Sequence, residues 1–206
     1  MLHNLNKHLR LAYKFQISLL LLTLISLFTS KLSAQPKPHF FVETDPSTFA
    51  FDGYAAHFRF TPSGLEHWVF GVGTYSMKFP DFIVNMDSKD RDQGWDVKLR
   101  HGYGLFTDYY FNSAGSDLFI GGQLAFQNFG IKNSTQGIKE SRYSTVLLMP
   151  RVGYQWNPFN NGFYIMPWIG IGLETKINGD NSIGNKSYNV SPLLPFATVH
   201  FGYSFK

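Results

Sequence analysis

The sequence predicts an all-β protein, an eight-stranded antiparallel up-and-down transmembrane β-barrel. Three features predict this fold: an export-type apolar stretch near the N-terminus, repeated segments in which apolar and polar residues alternate, and a C-terminal segment whose apolar face ends in aromatic residues. Alternation with a period of two places apolar and polar side chains on opposite faces of a strand. A strand with one lipid-facing apolar side and one polar inner side is the unit of an outer-membrane barrel.

The C-terminal segment 195–206 shows the alternation most clearly. From Ala197 to Phe205 the odd positions are apolar, whereas the even positions are Thr198, His200, Gly202 and Ser204. We therefore expect a closing strand with an aromatic outer face and a small or polar inner face.

Residues 1–34 predict a cleaved secretory signal peptide. Three basic residues precede an uncharged apolar run over 17–29, and Ala34 is the small residue before the expected cut. An N-terminal membrane anchor is the weaker alternative, because a spanning helix needs about 20 apolar residues. Residues 35–206 are then a single outer-membrane β-barrel domain.

Charge and cysteine content exclude several classes of function. Residues 1–34 hold four of the 18 basic residues and none of the 14 acidic ones, so the remainder has 14 of each. A neutral mature chain gives no support to a nucleic-acid partner. The absence of cysteine excludes thiolate metal sites and cysteine nucleophiles.

The strand count follows from alternation and from parity. Strands are predicted over 39–44, 49–61, 68–79, 94–106, 117–129, 142–156, 163–176 and 195–205. If both ends of the chain lie in the periplasm, the number of strands is even. This argument requires the weak candidate 39–44, and it places loops 80–93, 130–141 and 177–191 outside and turns 61–66 and 157–162 inside. The charged loop 80–93 lacks the spacing of a calcium loop, so we expect a solvated loop.

Two positions disturb the pattern. Alternation through the fourth strand directs Trp95, Val97 and Leu99 to lipid and Arg100 to the interior, which would leave the polar ring of His101 in lipid. We therefore expect a β-bulge near Gly102 or a change of register. Pro150 also lies within a predicted strand and predicts a second bulge.

The signal peptide, eight alternating strands and the closing Tyr203-Ser204-Phe205 resemble the small bacterial outer-membrane barrels, such as the OmpA transmembrane domain, OmpX and PagP. The resemblance implies location in the outer membrane of a Gram-negative bacterium, contact with outer-membrane lipid, insertion by the barrel-assembly machinery, and a monomer. Lys206 departs from the family, whose chains usually end on the aromatic residue itself.

The candidate ligand site is a group of side chains expected inside the barrel. Its residues are Arg59, Arg100, Arg151, Tyr164, Trp168 and His200. No inward carboxylate is predicted at the depth of the three arginines, so they could hold an anion or a polar ligand. The alternative is a filled interior in which these groups satisfy one another. In that case the arginines reach the carboxylates of Glu66, Asp108 or Asp117 at the rim, or stack on the rings of Tyr164 and Trp168.

No catalytic residue, metal site or cofactor is predicted. His200 and Ser204 share a face but lie about 13 Å apart along a strand, too far for a nucleophile and its base. The expected function is a non-enzymatic, structural or surface-interacting role in the envelope. A lipid-modifying enzyme, a narrow transport or ligand-binding barrel, and a soluble secreted β-sandwich are the alternatives.

Overall fold

The computed structural model describes residues 37–137, 139–159 and 161–205. The predicted signal peptide over 1–34 and the final Lys206 lie outside these residues. The described part of the chain consists mainly of antiparallel strands.

The described residues contain ten strands and two short helices, and eight of the strands are long. In chain order the elements are β1 (His39–Thr44), α1 (Pro46–Ala50), β2 (Tyr54–Thr61), β3 (Trp68–Lys78), α2 (Asp81–Val84), β4 (Trp95–Tyr110), β5 (Asp117–Asn133), β6 (Ser141–Gln155), β7 (Phe163–Gly179), β8 (Ser182–Ile183), β9 (Lys186–Ser187) and β10 (Leu193–Phe205). Neither helix is long and apolar enough to cross a membrane.

The eight long strands form a closed antiparallel ring. Strands β1 to β7 pair in chain order and β10 pairs with both β7 and β1, while β8 and β9 form a separate hairpin. The prediction of eight strands is confirmed, including the weak candidate at His39–Thr44. We call the end that holds the start of β1 and the finish of β10 the terminal end, and the opposite end the loop end.

The predicted second strand begins later than expected, because residues 46–50 form α1. Asp45 caps this helix through its side-chain oxygen, which accepts a hydrogen bond from the backbone N–H of Ser47 at 2.9 Å, and Pro46 occupies the first turn. Both are start signals of a helix. Strand β2 then begins at Tyr54.

The predicted faces of β4 are wrong for its loop-end half. The pairing with β5 shifts between Leu99 and His101, and a second shift lies opposite it on β3 between Tyr75 and Met77. The expected bulge is therefore confirmed, slightly earlier than Gly102. Its extra residue reverses the alternation, so Trp95, Val97 and Leu99 are buried inside the ring and Arg100 points outward.

The bulge predicted at Pro150 is absent. Pro150 lies opposite Gly122 in unbroken register with β5. Towards β7, pairing is interrupted at Met149 and Pro150 and resumes in the same register at Arg151. A proline lacks the N–H that the ladder needs, so it interrupts hydrogen bonding without shifting the strand.

The loop over 80–93 is mostly exposed, as expected, but Val84 and Asp90 are buried at the loop end. Phe79 and Val84 pack there in an apolar cluster with Ile183 and Tyr188 from the other long loop. Asp90 accepts a hydrogen bond from the backbone N–H of Asn189 at 3.0 Å. Burial raises the pKa of the Asp90 carboxyl above its ordinary value.

Candidate functional site

Below the apolar cluster, the interior of the ring holds a group of buried polar and charged side chains, which we call the luminal cluster. Alternation directs each of its residues inward from its strand. Its members are Glu43 from β1, His57 and Arg59 from β2, Asp108 from β4, Arg151 from β6, Tyr164 and Trp168 from β7, and His200 from β10.

Asp108 is the centre of the luminal cluster and binds two arginines. Arg151 donates from Nε to Oδ1 at 3.0 Å and from Nη2 to Oδ2 at 2.7 Å. Arg59 donates from Nη2 to Oδ2. These three side chains are between 0% and 1% exposed, so their charges depend on one another and not on water.

Glu43 is the second carboxylate and balances the charge. It accepts long hydrogen bonds from Nη1 of Arg59, at 3.3 Å to each oxygen, and a bond from the Tyr164 hydroxyl to Oε2 at 3.0 Å. Two guanidinium groups therefore face two carboxylates, which is the condition for burying such charges at moderate cost.

Two glycines make room for the large rings of the luminal cluster. Gly202 of β10 lies opposite Tyr164, and a Cβ there would collide with the tyrosine ring and hydroxyl. Gly73 of β3 lies opposite His57, and a Cβ there would collide with the imidazole. Each ring crosses the neighbouring strand above a missing side chain, because an eight-stranded ring is only wide enough for its side chains to fill.

Aromatic rings and amides complete the packing. The Arg151 guanidinium lies over the rings of Phe106 at 5.0 Å and Trp168 at 5.2 Å, a cation–π arrangement. The Tyr110 hydroxyl donates to the side-chain oxygen of Gln155 at 2.8 Å. These contacts cross the interior at the level of Asp108.

Five of the six predicted site residues belong to the luminal cluster. Arg100 does not, because the bulge in β4 turns it to the outside, where it donates to Glu140 at 3.0 Å. Its assignment to the interior was therefore wrong. The stacking predicted for an arginine on Trp168 is found for Arg151.

The sequence reasoning placed Asp108 in a turn at the rim, as one of three carboxylates that the inward arginines could reach. Strand β4 in fact continues to Tyr110, and Asp108 pairs with both Arg59 and Arg151. The premise of unpaired inward arginines is thus incorrect for these two. Continuing the alternation through Gly104 and Phe106 would have placed Asp108 inside.

One further contact brings Ser204 close to a histidine that the sequence reasoning did not pair with it. The hydroxyl of Ser204 lies 2.6 Å from Nε2 of His39, near the terminal end. This is the distance of a nucleophile and its base. Ser204 is only 8% exposed and faces into the ring, however, so its hydroxyl is shielded from a lipid substrate outside the ring.

No family model matches this chain, and no curated protein was found that is similar to it in sequence.

Proposed function

We propose that this chain is an integral outer-membrane β-barrel protein of a Gram-negative envelope, with a non-enzymatic, structural or surface-interacting role. The observation that supports the proposal is the outward face of the ring. Around the whole ring, outward positions are exposed and apolar, as in Val72, Leu105, Leu148 and Ile169, which are between 51% and 59% exposed.

This apolar band includes all eight long strands. Its exposed large residues are Phe40, Val42, Phe58, Phe60, Trp68, Val72, Tyr103, Leu105, Leu118, Ile120, Leu124, Phe126, Leu148, Val152, Ile169, Ile171, Leu173, Val199, Phe201 and Tyr203. A soluble monomer rarely exposes an apolar patch larger than about 300–600 Å². A band that encircles the molecule is what lipid would cover.

Both borders of the band have the composition expected at a membrane surface. Towards the loop end, the outward residues become ion pairs, such as Lys78 with Asp96 at 2.7 Å and Arg100 with Glu140 at 3.0 Å. Towards the terminal end, the exposed residues include the aromatic side chains of Tyr154, Trp156 and Phe205. Charged and aromatic girdles of this kind flank the lipid-facing band of outer-membrane barrels.

A soluble β-sandwich would require the reverse distribution of polarity. The luminal cluster places buried charges such as Asp108 and Arg151 inside, beside buried apolar residues such as Leu147, while every long strand exposes large apolar side chains on its outer face. Water would favour the opposite arrangement, because apolar area is stabilised by leaving water and charges are stabilised by staying in it. This inside-out pattern argues for lipid as the surrounding solvent.

The filled interior favours a structural or surface role over transport. Asp108 joins β4 to β2 and β6 through Arg59 and Arg151, and Tyr164 joins β7 to β1 through Glu43. These bonds cross the interior within the luminal cluster, and the charged side chains that make them are between 0% and 2% exposed. Exposed Phe82 and Met86 on the long loop that holds α2 offer apolar contact to a partner outside the cell.

Membrane fractionation tests the proposal directly. We expect the chain in the outer-membrane fraction, with a gel mobility that changes on heating because a detergent-resistant barrel unfolds only when heated. A chain that stays in the aqueous fraction and runs identically with and without heating would refute it.

Orientation can be tested with single cysteines, since the chain has none of its own. Asn185→Cys lies in the β8–β9 hairpin at the loop end, and Glu66→Cys is exposed in a turn at the terminal end. We expect a membrane-impermeant maleimide to label Asn185→Cys in intact cells and Glu66→Cys only after permeabilisation. Labelling of Glu66→Cys alone in intact cells would reverse the proposed orientation.

A further inference from the structure

We propose that Glu43, His57 and His200 form a binding site for one divalent transition-metal ion of the Zn²⁺ type inside the ring. Each offers one ligand atom, and the three atoms lie within 4.8 Å of one another. All three residues are buried, with exposures of 7%, 7% and 3%. Among the described residues, this is the one group of three such side chains with the spacing of a metal site.

Strand register brings the three residues together. Glu43 lies directly opposite His57 on β2, and on its other side it lies opposite Gly202 on β10. His200 is two residues before Gly202 and therefore shares the inward face. The imidazoles of His57 and His200 stack with their centroids 4.9 Å apart and their planes 12° from parallel.

One ring nitrogen of each histidine makes no hydrogen bond to the described residues. Nδ1 of His57 and Nδ1 of His200 are buried, and neither has a hydrogen-bond partner within the described part of the chain. Nδ1 of His200 lies 3.5 Å from Oε1 of Glu43, which is at the limit of a hydrogen bond. Buried polar atoms are normally satisfied, and a lone pair on a neutral imidazole is satisfied by a metal ion.

There is also space for the remaining ligands of an ion. A cavity of about 60 Å³ is lined by His57, His200, Trp168 and Gln123, among other residues. A water needs roughly 10–15 Å³ of such space, so the cavity accommodates one or more waters beside the histidines. Three protein ligands and an open position filled by water are the usual arrangement of a non-structural zinc site.

The surrounding residues orient the carboxylate. The Tyr164 hydroxyl donates to Oε2 of Glu43 at 3.0 Å. Oε1 accepts from Nη1 of Arg59 at 3.3 Å and lies 3.5 Å from Nδ1 of His200. A bonded ligand of this kind is typical of the layer around a metal site. Two imidazoles and one carboxylate suit Zn²⁺, whereas Ca²⁺ and Mg²⁺ prefer oxygen ligands alone.

The charge of the luminal cluster limits the affinity. Arg59 and Arg151 already balance Glu43 and Asp108, so a divalent ion adds positive charge to a neutral group. We therefore expect weaker binding than at a site with unpaired carboxylates, and we expect that metal must be present during refolding to enter the closed interior.

The test uses tag-free protein refolded in detergent micelles, with or without Zn²⁺, followed by removal of free metal and measurement of bound zinc. We expect one bound zinc per chain in the wild type. His57→Gln and His200→Gln should each lower the bound fraction at least tenfold. His101→Gln, which removes an exposed histidine on the outer face, should leave it unchanged.

Folding of each variant is checked by its heat-dependent gel mobility. If a glutamine variant does not fold, the wild type refolded with Cu²⁺ decides the question by electron paramagnetic resonance. Coupling of the copper to two imidazole nitrogens would support the site. Two results would overturn the proposal. One is a folded wild type that shows neither bound zinc nor copper coupled to two nitrogens. The other is zinc binding in folded His57→Gln and His200→Gln that equals zinc binding in the wild type.

Discussion

Replacing Asp108 by asparagine should destabilise the protein more than any exposed charge change. The substitution keeps the shape of the side chain but leaves Arg59 and Arg151 with only Glu43 as a counter-charge in a region that is between 0% and 2% exposed. Removing one partner of a buried ion pair costs about 3–5 kcal/mol, since the remaining charge is left uncompensated. We therefore expect a loss of about 3–5 kcal/mol in the free energy of unfolding.

The matched control is Asp96→Asn, which makes the same chemical change on the outside of the same strand. Asp96 pairs with Lys78 at 2.7 Å, but the two side chains are 47% and 48% exposed. Exposed pairs contribute about 0–1 kcal/mol, so this variant should be nearly as stable as the wild type.

The measurement is equilibrium unfolding in urea in detergent micelles, followed by tryptophan fluorescence and by gel mobility. A double variant, Asp108→Asn with Arg151→Met, tests the charge balance directly, because it removes one arginine together with its partner carboxylate. The double variant should be more stable than Asp108→Asn alone, because one guanidinium again faces one carboxylate. A loss below about 1 kcal/mol in Asp108→Asn, or a double variant less stable than that single one, would refute the charge-balance argument.

Three further predictions test the outer band, the packing of the interior and the buried loop. Leu105 lies in the middle of the apolar band, and Leu105→Arg should lower the free energy of unfolding by about 2–4 kcal/mol in lipid. His101 lies on the same face near the charged border, and His101→Arg should lower it by about 0–1 kcal/mol. Equal effects of the two substitutions in urea unfolding would contradict a lipid-covered band. Gly202→Ala should destabilise by about 1–3 kcal/mol because its methyl group meets the Tyr164 ring. Gly122→Ala should leave the stability unchanged, because the atom nearest to its new methyl group would be 3.8 Å away. Equal unfolding midpoints for Gly202→Ala and Gly122→Ala would contradict this argument. Burial raises the pKa of the Asp90 carboxyl, so the folded protein holds the carboxyl proton more tightly than the unfolded chain does. The wild type should therefore lose stability relative to Asp90→Asn as the pH rises above about 3.9. Urea midpoints of both proteins between about pH 3 and pH 7 measure this difference, and parallel curves would contradict it.

The fold could be predicted well from the sequence because its main signal is local. Alternation directs Phe58 outward and Arg59 inward whatever the partner strand is, and the same rule places Tyr164 and His200 inside. The weak first strand followed from parity alone, and the structure contains it at His39–Thr44.

The differences from the sequence predictions arose where an extra residue or a contact between distant loops changed a local pattern. Arg100 follows the alternation of its own strand, but the bulge beside it depends on how β3 and β5 pair with β4. The composition of the charged loop over 80–93 predicts a solvated loop, although Asp90 is buried against Asn189, 99 residues further along the chain.

The sequence by itself determined which residues alternate, that eight strands form the ring and, apart from the loop-end half of β4, which faces point outward, because alternation depends on neighbours two positions apart. Only the tertiary structure decided that Asp108 meets Arg59 and Arg151, and that Glu43 meets His57 and His200. The physical reason is that each of these two groups of contacts joins three different strands across the interior. Their distances follow from the register and bulges of the whole closed ring, which no single segment encodes.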